Sequence, residues 1–108
     1  MLYSDVLDMA IKTYGEQMQM DIVIEEASEL IKELIKSKRR AWRNGGNYEL
    51  DRRVFEEMID LRVTLDQMEQ IFISKMGRDE YNKQYNEQRG KVAQELLFRI
   101  RRDKAQQS

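Results

Sequence analysis

Cysteine, histidine and proline are all missing from this 108-residue sequence. Without cysteine the chain has no disulfide, no thiol nucleophile and no thiolate metal site. Without histidine it has no Ser-His-Asp triad and no histidine-bearing zinc or di-iron site. Any metal must therefore bind through oxygen ligands, which points to Mg²⁺, Mn²⁺ or Ca²⁺.

Charge imbalance and long apolar runs are missing as well. The formal net charge is −1, so the overall field gives no reason to expect a membrane-surface partner and argues against nucleic acid. No apolar run reaches transmembrane length, and the start of the chain lacks a signal-peptide pattern. We therefore expect a cytoplasmic protein without membrane contact, built as a single domain over residues 1–108.

What the chain does contain is helical periodicity. The lack of proline and the small number of glycines favour long helices joined by short turns. The sequence predicts an all-α, four-helix bundle-like fold with antiparallel neighbours and a basic tail that frays over residues 98–108. Ser4, Asn47 and Asp79 are candidate N-caps, and Gly15 is a candidate helix stop. The expected helices cover about 4–14, 17–42, 48–75 and 80–102.

Apolar side chains recur at helical spacing in the three longer helices. We expect these stripes to form the core. In the second helix the stripe is Val23, Ile24, Ala27, Leu30, Ile31, Leu34 and Ile35. In the third it is Leu50, Val54, Met58, Leu61, Leu65, Met68 and Phe72. In the fourth it is Tyr81, Tyr85, Val92, Leu96 and Ile100.

Two acidic pairs lie inside these helical patterns. Residues three apart share a helix face, so Glu26 pairs with Glu29 and Glu57 pairs with Asp60. If the second and third helices pack together, four carboxylates meet beside the core. Like charges also follow one another at i, i+4 over residues 21–33, and each such pair destabilises an isolated helix by roughly 0.2–0.5 kcal/mol. A divalent cation would neutralise this crowding; the alternative is a solvated acidic face.

Several polar residues are candidates for nucleotide or phosphate contact. The basic end of the second helix either caps that helix or forms a flap in which Trp42 covers a nucleobase. Arg89 lies inside the apolar line of the fourth helix. It either contacts phosphate, snorkels to solvent or forms an ion pair between subunits. Gln19, near Glu26 on the helix, either contacts the base or sugar of a nucleotide or is a surface residue. The candidates are Gln19, Lys32, Lys36, Trp42, Arg53 and Arg89.

The segment Glu25-Glu26-Ala27-Ser28-Glu29, followed after twenty-seven residues by Glu57-Met58-Ile59-Asp60, resembles the signature of the all-α nucleoside triphosphate pyrophosphatases. This is the MazG and dimeric dUTPase-like superfamily, and the similarity covers roughly residues 10–75. The resemblance implies a hydrolase that cleaves a nucleoside triphosphate between its α and β phosphates, giving the monophosphate and pyrophosphate.

The same resemblance implies a cofactor, an assembly and a role for each acid. The cofactor is Mg²⁺, with Mn²⁺ as a substitute, and the core is completed in a homodimer or homotetramer. The implied metal ligands are Glu26, Glu29, Glu57 and Asp60. Glu25 joins Glu26 as a catalytic residue, either as a further ligand or as the group that polarises the attacking water.

Two other functions are compatible with the sequence. The chain is alternatively a non-catalytic helical oligomerisation module whose acids form a solvated face or a salt-bridge layer between subunits. A weaker alternative is nucleic-acid binding through the arginine-rich loop and tail. Its signature is a steep loss of affinity with salt.

Overall fold

The computed structural model describes residues 1–46 and 50–107. Every regular element in these ranges is an α-helix, which confirms the predicted all-α class. The helices form two compact units, Met1–Ile71 and Phe72–Ser108, which are described separately below. The prediction of a single domain stays a prediction. The helices are α1 (Tyr3–Tyr14), α2 (Glu16–Arg43), α3 (Arg52–Met76) and α4 (Arg78–Gln107).

The junction between α1 and α2 follows the sequence signals closely. Gly15 ends α1 at a φ of 85°, a backbone conformation that a side chain would strain. Its N–H donates to the carbonyl of Ile11 at 2.8 Å, and its own carbonyl accepts from Gln19. The start of α1 differs from the prediction, because Leu2 occupies the cap position and Ser4 lies inside the helix.

The helix ends later in the chain differ more from the predicted ones. α3 begins at Arg52, where the Asp51 carboxylate accepts a hydrogen bond from the Val54 N–H at 3.0 Å, as an N-cap residue does. The predicted cap Asn47 lies outside the described residues. α4 begins before Asp79 and continues to Gln107, well past the predicted end near 102.

Within the first unit, α2 and α3 run antiparallel, as predicted. Arg40, near the end of α2, forms an ion pair with Asp51 just before α3. Glu26, in the first half of α2, faces Glu57 and Asp60 in the second and third turns of α3. Residue numbers thus fall along one helix as they rise along the other. The Tyr3 hydroxyl of α1 donates to Asp66 of α3 at 2.8 Å, which ties the first helix to the third.

The buried face of α2 includes only part of the predicted apolar stripe, since Val23, Ala27 and Leu30 are half-buried. Ile24, Ile31 and Ile35 are 66%, 56% and 45% exposed, so their prediction as core is wrong within this chain, as it is for Leu34. The buried residues of this helix are instead Gln19, Glu33, Ser37 and Ala41. Side chains two residues apart on a helix point in directions that differ by about 200°. Ile24 and Ile31, two residues before Glu26 and Glu33, therefore lie on the opposite face from these acids. The inner face is therefore mixed, with Glu26 and Glu33 beside Val23 and Leu30, whereas Ile24, Ile31 and Ile35 face outward.

The predicted core stripe of α3 is only partly confirmed. Val54 is buried and Leu61 and Met68 are half-buried, as expected. Other predicted members are exposed in this chain: Leu50, Met58, Leu65 and Phe72. The inward line runs through positions 54, 57, 61, 64 and 68, which places Glu57 on the buried side of the helix.

In the second unit, α4 has no buried residue among those described. Its predicted apolar line is exposed from Tyr85 to Ile100, at 44–51% for each member. Tyr81 and Tyr85 stack on one another with ring centroids 6.0 Å apart. This helix therefore carries an apolar line that its own unit does not cover.

The intrachain core is small. Among the described residues, the buried hydrophobic side chains are Leu7, Ala41 and Val54. Large apolar groups on α2, α3 and α4 stay open to water, which is unusual for a monomeric protein. None of the helices in ranges 1–46 and 50–107 has a stretch sufficiently apolar and long to cross a bilayer.

Candidate metal centre

A polar stripe with a seven-residue repeat runs along the inner face of α2. Gln19, Glu26 and Glu33 are each seven residues apart, which is nearly two helical turns, so they lie almost in line. Gln19 and Glu33 are 2% and 7% exposed, and Glu26 is half-buried. The helix therefore presents two carboxylates and an amide to its neighbours, at positions where a globular helix ordinarily presents apolar groups.

Three of the four predicted ligands meet at the centre of this stripe. Glu26 of α2 and Glu57 and Asp60 of α3 each offer a carboxylate oxygen, and these oxygens all lie within 4.8 Å of one another. Glu57 and Asp60 are three residues apart on one face, and the antiparallel packing brings that face against Glu26. The sequence pattern thus predicted the convergence of residues that are more than thirty positions apart. Their role as ligands stays a prediction.

Glu29 and Glu25 flank the three-carboxylate cluster. Glu29 is half-buried and its charge acts on both Glu26 and Glu57, although its oxygens are not part of the closest group. Glu25 is exposed and acts on Glu26. The structure therefore brings three of the five predicted acids together, with Glu29 at their edge and Glu25 on the solvent side.

The cluster is electrostatically unfavourable for carboxylates alone. Burial raises the pKa of Glu26, and the charges of Asp60, Glu57 and the other neighbouring acids raise it further. The pKa of Glu57 is also raised, by desolvation first and then by nearby carboxylates including Asp60 and Glu29. Both effects disfavour the ionised form, and a bound cation would reverse them.

The donor set fits a hard divalent cation. Magnesium binds oxygen at about 2.1 Å in near-octahedral geometry, so two ligand oxygens around one ion are about 3–4 Å apart. Carboxylate oxygens within 4.8 Å of one another reach that spacing by small side-chain rotations. With no histidine or cysteine in the sequence, imidazole and thiolate coordination is excluded throughout the chain.

The predicted nucleotide and phosphate contacts are more dispersed. Lys32 and Arg53 are exposed, and Arg53 lies one turn before Glu57 on α3. Lys36 is half-buried and pairs with Glu33 at 3.4 Å. Gln19 is nearly fully buried and its Oε1 accepts no hydrogen bond among the described residues, so the surface-residue alternative for it is wrong.

One further candidate lies far from the cluster along α2. Trp42 is 86% exposed and lines a groove with Ile35, Lys38 and Arg39 on the outer face of α2. It follows Glu26 by sixteen residues, which is about 24 Å along the helix axis. Arg89, on α4 in the second unit, is exposed, and its role stays a prediction.

In metal-free buffer, the melting temperature should rise as the pH is lowered from about 7 to about 5. A carboxylate with a raised pKa in the folded state stabilises the fold when protonated, and this contribution disappears as the pH rises through that pKa. The shifts of Glu26 and Glu57 have this sign. Thermal unfolding in EDTA measures the effect.

The Glu26→Gln variant supplies the control, because it removes one of the two shifted groups and should flatten the profile. Asp51 has the opposite shift, since the Val54 N–H hydrogen bond first and Arg40 next lower its pKa. Its contribution is lost only as the pH falls through that lower value, below the window measured. A melting temperature that falls as the pH is lowered from 7 to 5 would contradict the electrostatic description of the cluster.

The first unit thus contains a compact donor set made only of oxygen atoms, held by two antiparallel helices. It offers a site for a cation, and Glu25 and Arg53 are exposed on the same two helices. In comparisons with family models, curated proteins and solved structures, nothing matched this chain.

Proposed function

We propose that this protein is a Mg²⁺-dependent nucleoside triphosphate pyrophosphohydrolase. The observation that supports this most is the convergence of Glu26, Glu57 and Asp60 within 4.8 Å, on helices whose acidic spacing resembles the all-α pyrophosphatase signature. A triphosphate carries about four negative charges and needs a counter-ion to approach carboxylates. A metal site built for phosphate chemistry accounts for acids that otherwise repel one another.

The reaction adds water across the α–β phosphoanhydride, so that the monophosphate and pyrophosphate leave with the elements of water divided between them. When bound at the cluster, Mg²⁺ supplies charge neutralisation for phosphate and a lowered pKa for water. Glu25 lies on the solvent side beside Glu26, where a carboxylate can take the proton of the attacking water. Arg53 and Lys32 are exposed cations on α3 and α2 that are suited to steady the departing pyrophosphate.

The proposed assembly is a homo-oligomer, with a dimer as its basic unit. The outer face of α2 carries apolar side chains over about five turns, from Ile24 to Trp42, on the side of the helix opposite the acids. Burying an isoleucine stabilises an interface by about 1.5–3 kcal/mol. A second copy would cover this face with the same face of its own α2, which is how twofold interfaces are built.

A panel of ribo- and deoxynucleotides assayed with Mg²⁺ and with EDTA tests the activity. We expect at least one triphosphate to yield its monophosphate and pyrophosphate in equal amounts with Mg²⁺, and no turnover with EDTA. Mn²⁺ should substitute for Mg²⁺ because it prefers the same oxygen ligands. Release of inorganic phosphate in place of pyrophosphate, or no turnover of any nucleotide, would contradict the proposed reaction.

The alternative is a non-catalytic oligomerisation module, and the uncovered apolar faces of α2 and α4 favour association under either function. Calorimetric titration with Mg²⁺ and a non-hydrolysable nucleotide separates the two functions. The enzyme binds the nucleotide only with the cation, whereas the module binds neither. The inward direction of Glu26 and Glu57 supports the enzyme, since a solvated acidic layer would face water.

A further inference from the structure

The formal net charge of −1 is the sum of two opposite parts of the chain. Residues 88–107, the later part of α4, carry six basic and two acidic side chains, which is a formal charge of +4. The rest of the chain therefore carries −5. Attraction to a polyanion depends on the charges within a Debye length of it, about 8–10 Å at ordinary salt, and not on the total. The low net charge therefore does not exclude an anionic partner for this helix.

One side of α4 combines these cations with an amide and an aromatic ring. The sequence predicts fraying from residue 98, whereas the helix continues to Gln107 and has no buried residue among those described. Five exposed side chains recur at intervals of three and four residues and so share one side of the helix, which we call the basic face. They are Lys91, Gln94, Phe98, Arg101 and Arg102. The helix therefore holds these groups at fixed spacing in water.

Phe98 is the aromatic member of the basic face, and it is 69% exposed. It lies two residues after Leu96 and two before Ile100, and each such step turns about 200° around the helix, so the ring points away from the apolar line. A groove of about 370 Å³ lies beside the ring. The other residues that line this groove are Gln94, Glu95, Arg99 and Arg102. A ring for stacking, an amide and a carboxylate for base edges and two guanidinium groups for phosphate are thus side by side.

We propose that the basic face of α4 binds single-stranded nucleic acid, with a base stacked on Phe98 and the phosphodiester backbone along the cations. Proteins that bind single strands without sequence preference combine these two elements. From Lys91 to Arg102 the cations span about 16 Å along the helix axis, so one strand can contact them in succession. Arg102 donates from Nε to Asp103 at 3.2 Å, but this exposed pair is weak and uses one of the five guanidinium donors.

Other anionic partners fit the basic face less well. A helix that lies on an anionic membrane carries its aromatic side chains on the apolar side. In α4, Phe98 lies among the cations and Arg89 interrupts the apolar line. The core of a protein interface is depleted of charged residues, whereas three of the five members of the basic face are cations. A single strand supplies both the negative charge and the flat apolar surface that this face lacks. Its binding uses the second unit and no divalent cation, so it is independent of the proposed hydrolysis.

Fluorescence anisotropy of labelled DNA and RNA single strands tests the proposal, with the full-length protein in EDTA so that the metal centre is not involved. We expect the logarithm of the affinity to fall with the logarithm of the salt concentration at a slope of about −2, for three neutralised phosphates. Phe98→Ala and Phe98→Leu should each lower the affinity roughly tenfold at an unchanged slope, because both lose the ring. Arg101→Gln should make the slope shallower by about 0.7. Arg62→Gln, at an exposed position of α3, is the matched control and should leave binding unchanged.

Affinity that is equal in wild type and Phe98→Ala would overturn the proposal. Full binding by Phe98→Leu would do so as well, because apolar packing and not stacking would then hold the ligand. Duplex DNA bound as tightly as the single strand would contradict it too, since paired bases inside a duplex are not free to stack on a side chain. Attachment to phosphatidylserine vesicles without binding of either oligonucleotide would identify an anionic membrane as the partner in place of nucleic acid.

Discussion

Asp60→Asn should lower Mg²⁺-dependent release of pyrophosphate by about a hundredfold or more while leaving the fold intact. The amide keeps the shape of the side chain but loses the negative charge and one acceptor oxygen at the point where three carboxylates meet. Neutralising one of three like charges relieves repulsion, so the metal-free variant should unfold at the wild-type temperature or above it. Coupled detection of pyrophosphate at saturating nucleotide measures the rate.

Asp66→Asn is the matched control for this experiment. Asp66 lies on the same helix and is an exposed acid outside the cluster, where it accepts a hydrogen bond from Tyr3. The same chemical change there should leave turnover close to wild type. Full activity in Asp60→Asn, in a protein that unfolds normally, would mean that the cluster does not carry the reaction.

Ile31→Glu should convert the proposed dimer into a monomer. Ile31 is 56% exposed at the middle of the outer face of α2, where the same residue of a second copy would lie nearby across a twofold interface. The substitution removes apolar burial worth about 1.5–3 kcal/mol for each isoleucine and places like charges together. Light scattering coupled to size-exclusion chromatography would then report half the wild-type mass.

Ile31→Val keeps the apolar contact and should remain dimeric, which makes it the control for the position. The Ile31→Glu monomer should also unfold at lower temperature, because the intrachain core contains few buried apolar side chains and the outer face would lose its cover. A wild-type protein that is monomeric at micromolar concentration would contradict the proposed assembly without affecting the metal centre.

Helix content and the meeting of the acids were both predictable from the sequence, for separate physical reasons. A chain without proline whose apolar residues recur at helical spacing has few alternatives to long helices. Spacing of three between Glu57 and Asp60 places both on one face in any α-helix. A turn too short for a crossover then forces α2 and α3 to lie antiparallel, which brings Glu26 opposite that face.

The inward face of α2 was not predictable in the same way. Its wheel has two plausible buried faces, one apolar through Ile24 and Ile31 and one polar through Glu26 and Glu33. Apolar periodicity predicts that a helix face is buried, but it does not indicate whether the same chain or a second copy buries it. The whole apolar stripe is therefore predicted as intrachain core, whereas the structure turns its isoleucines outward and buries Gln19 and Glu33.

The burial of Glu33 was not predictable for a related reason. In the sequence Glu33 is the last member of a like-charge ladder at i, i+4, and such a ladder suggests solvent or a cation for all its members equally. Burial distinguishes them, because the ladder crosses the helix surface from the exposed Asp21 to the buried Glu33. The seven-residue spacing of Gln19, Glu26 and Glu33 was the signal in the sequence that could have identified the inner stripe.

Anomalous diffraction from crystals of this protein soaked in Mn²⁺ tests the metal centre most directly. We predict an anomalous peak between α2 and α3, within coordination distance of carboxylate oxygens of Glu26, Glu57 and Asp60. The same crystals of Asp60→Asn should show the peak weakened or gone. A wild-type map without a peak at this point, with the three carboxylates turned apart into water, would contradict the account.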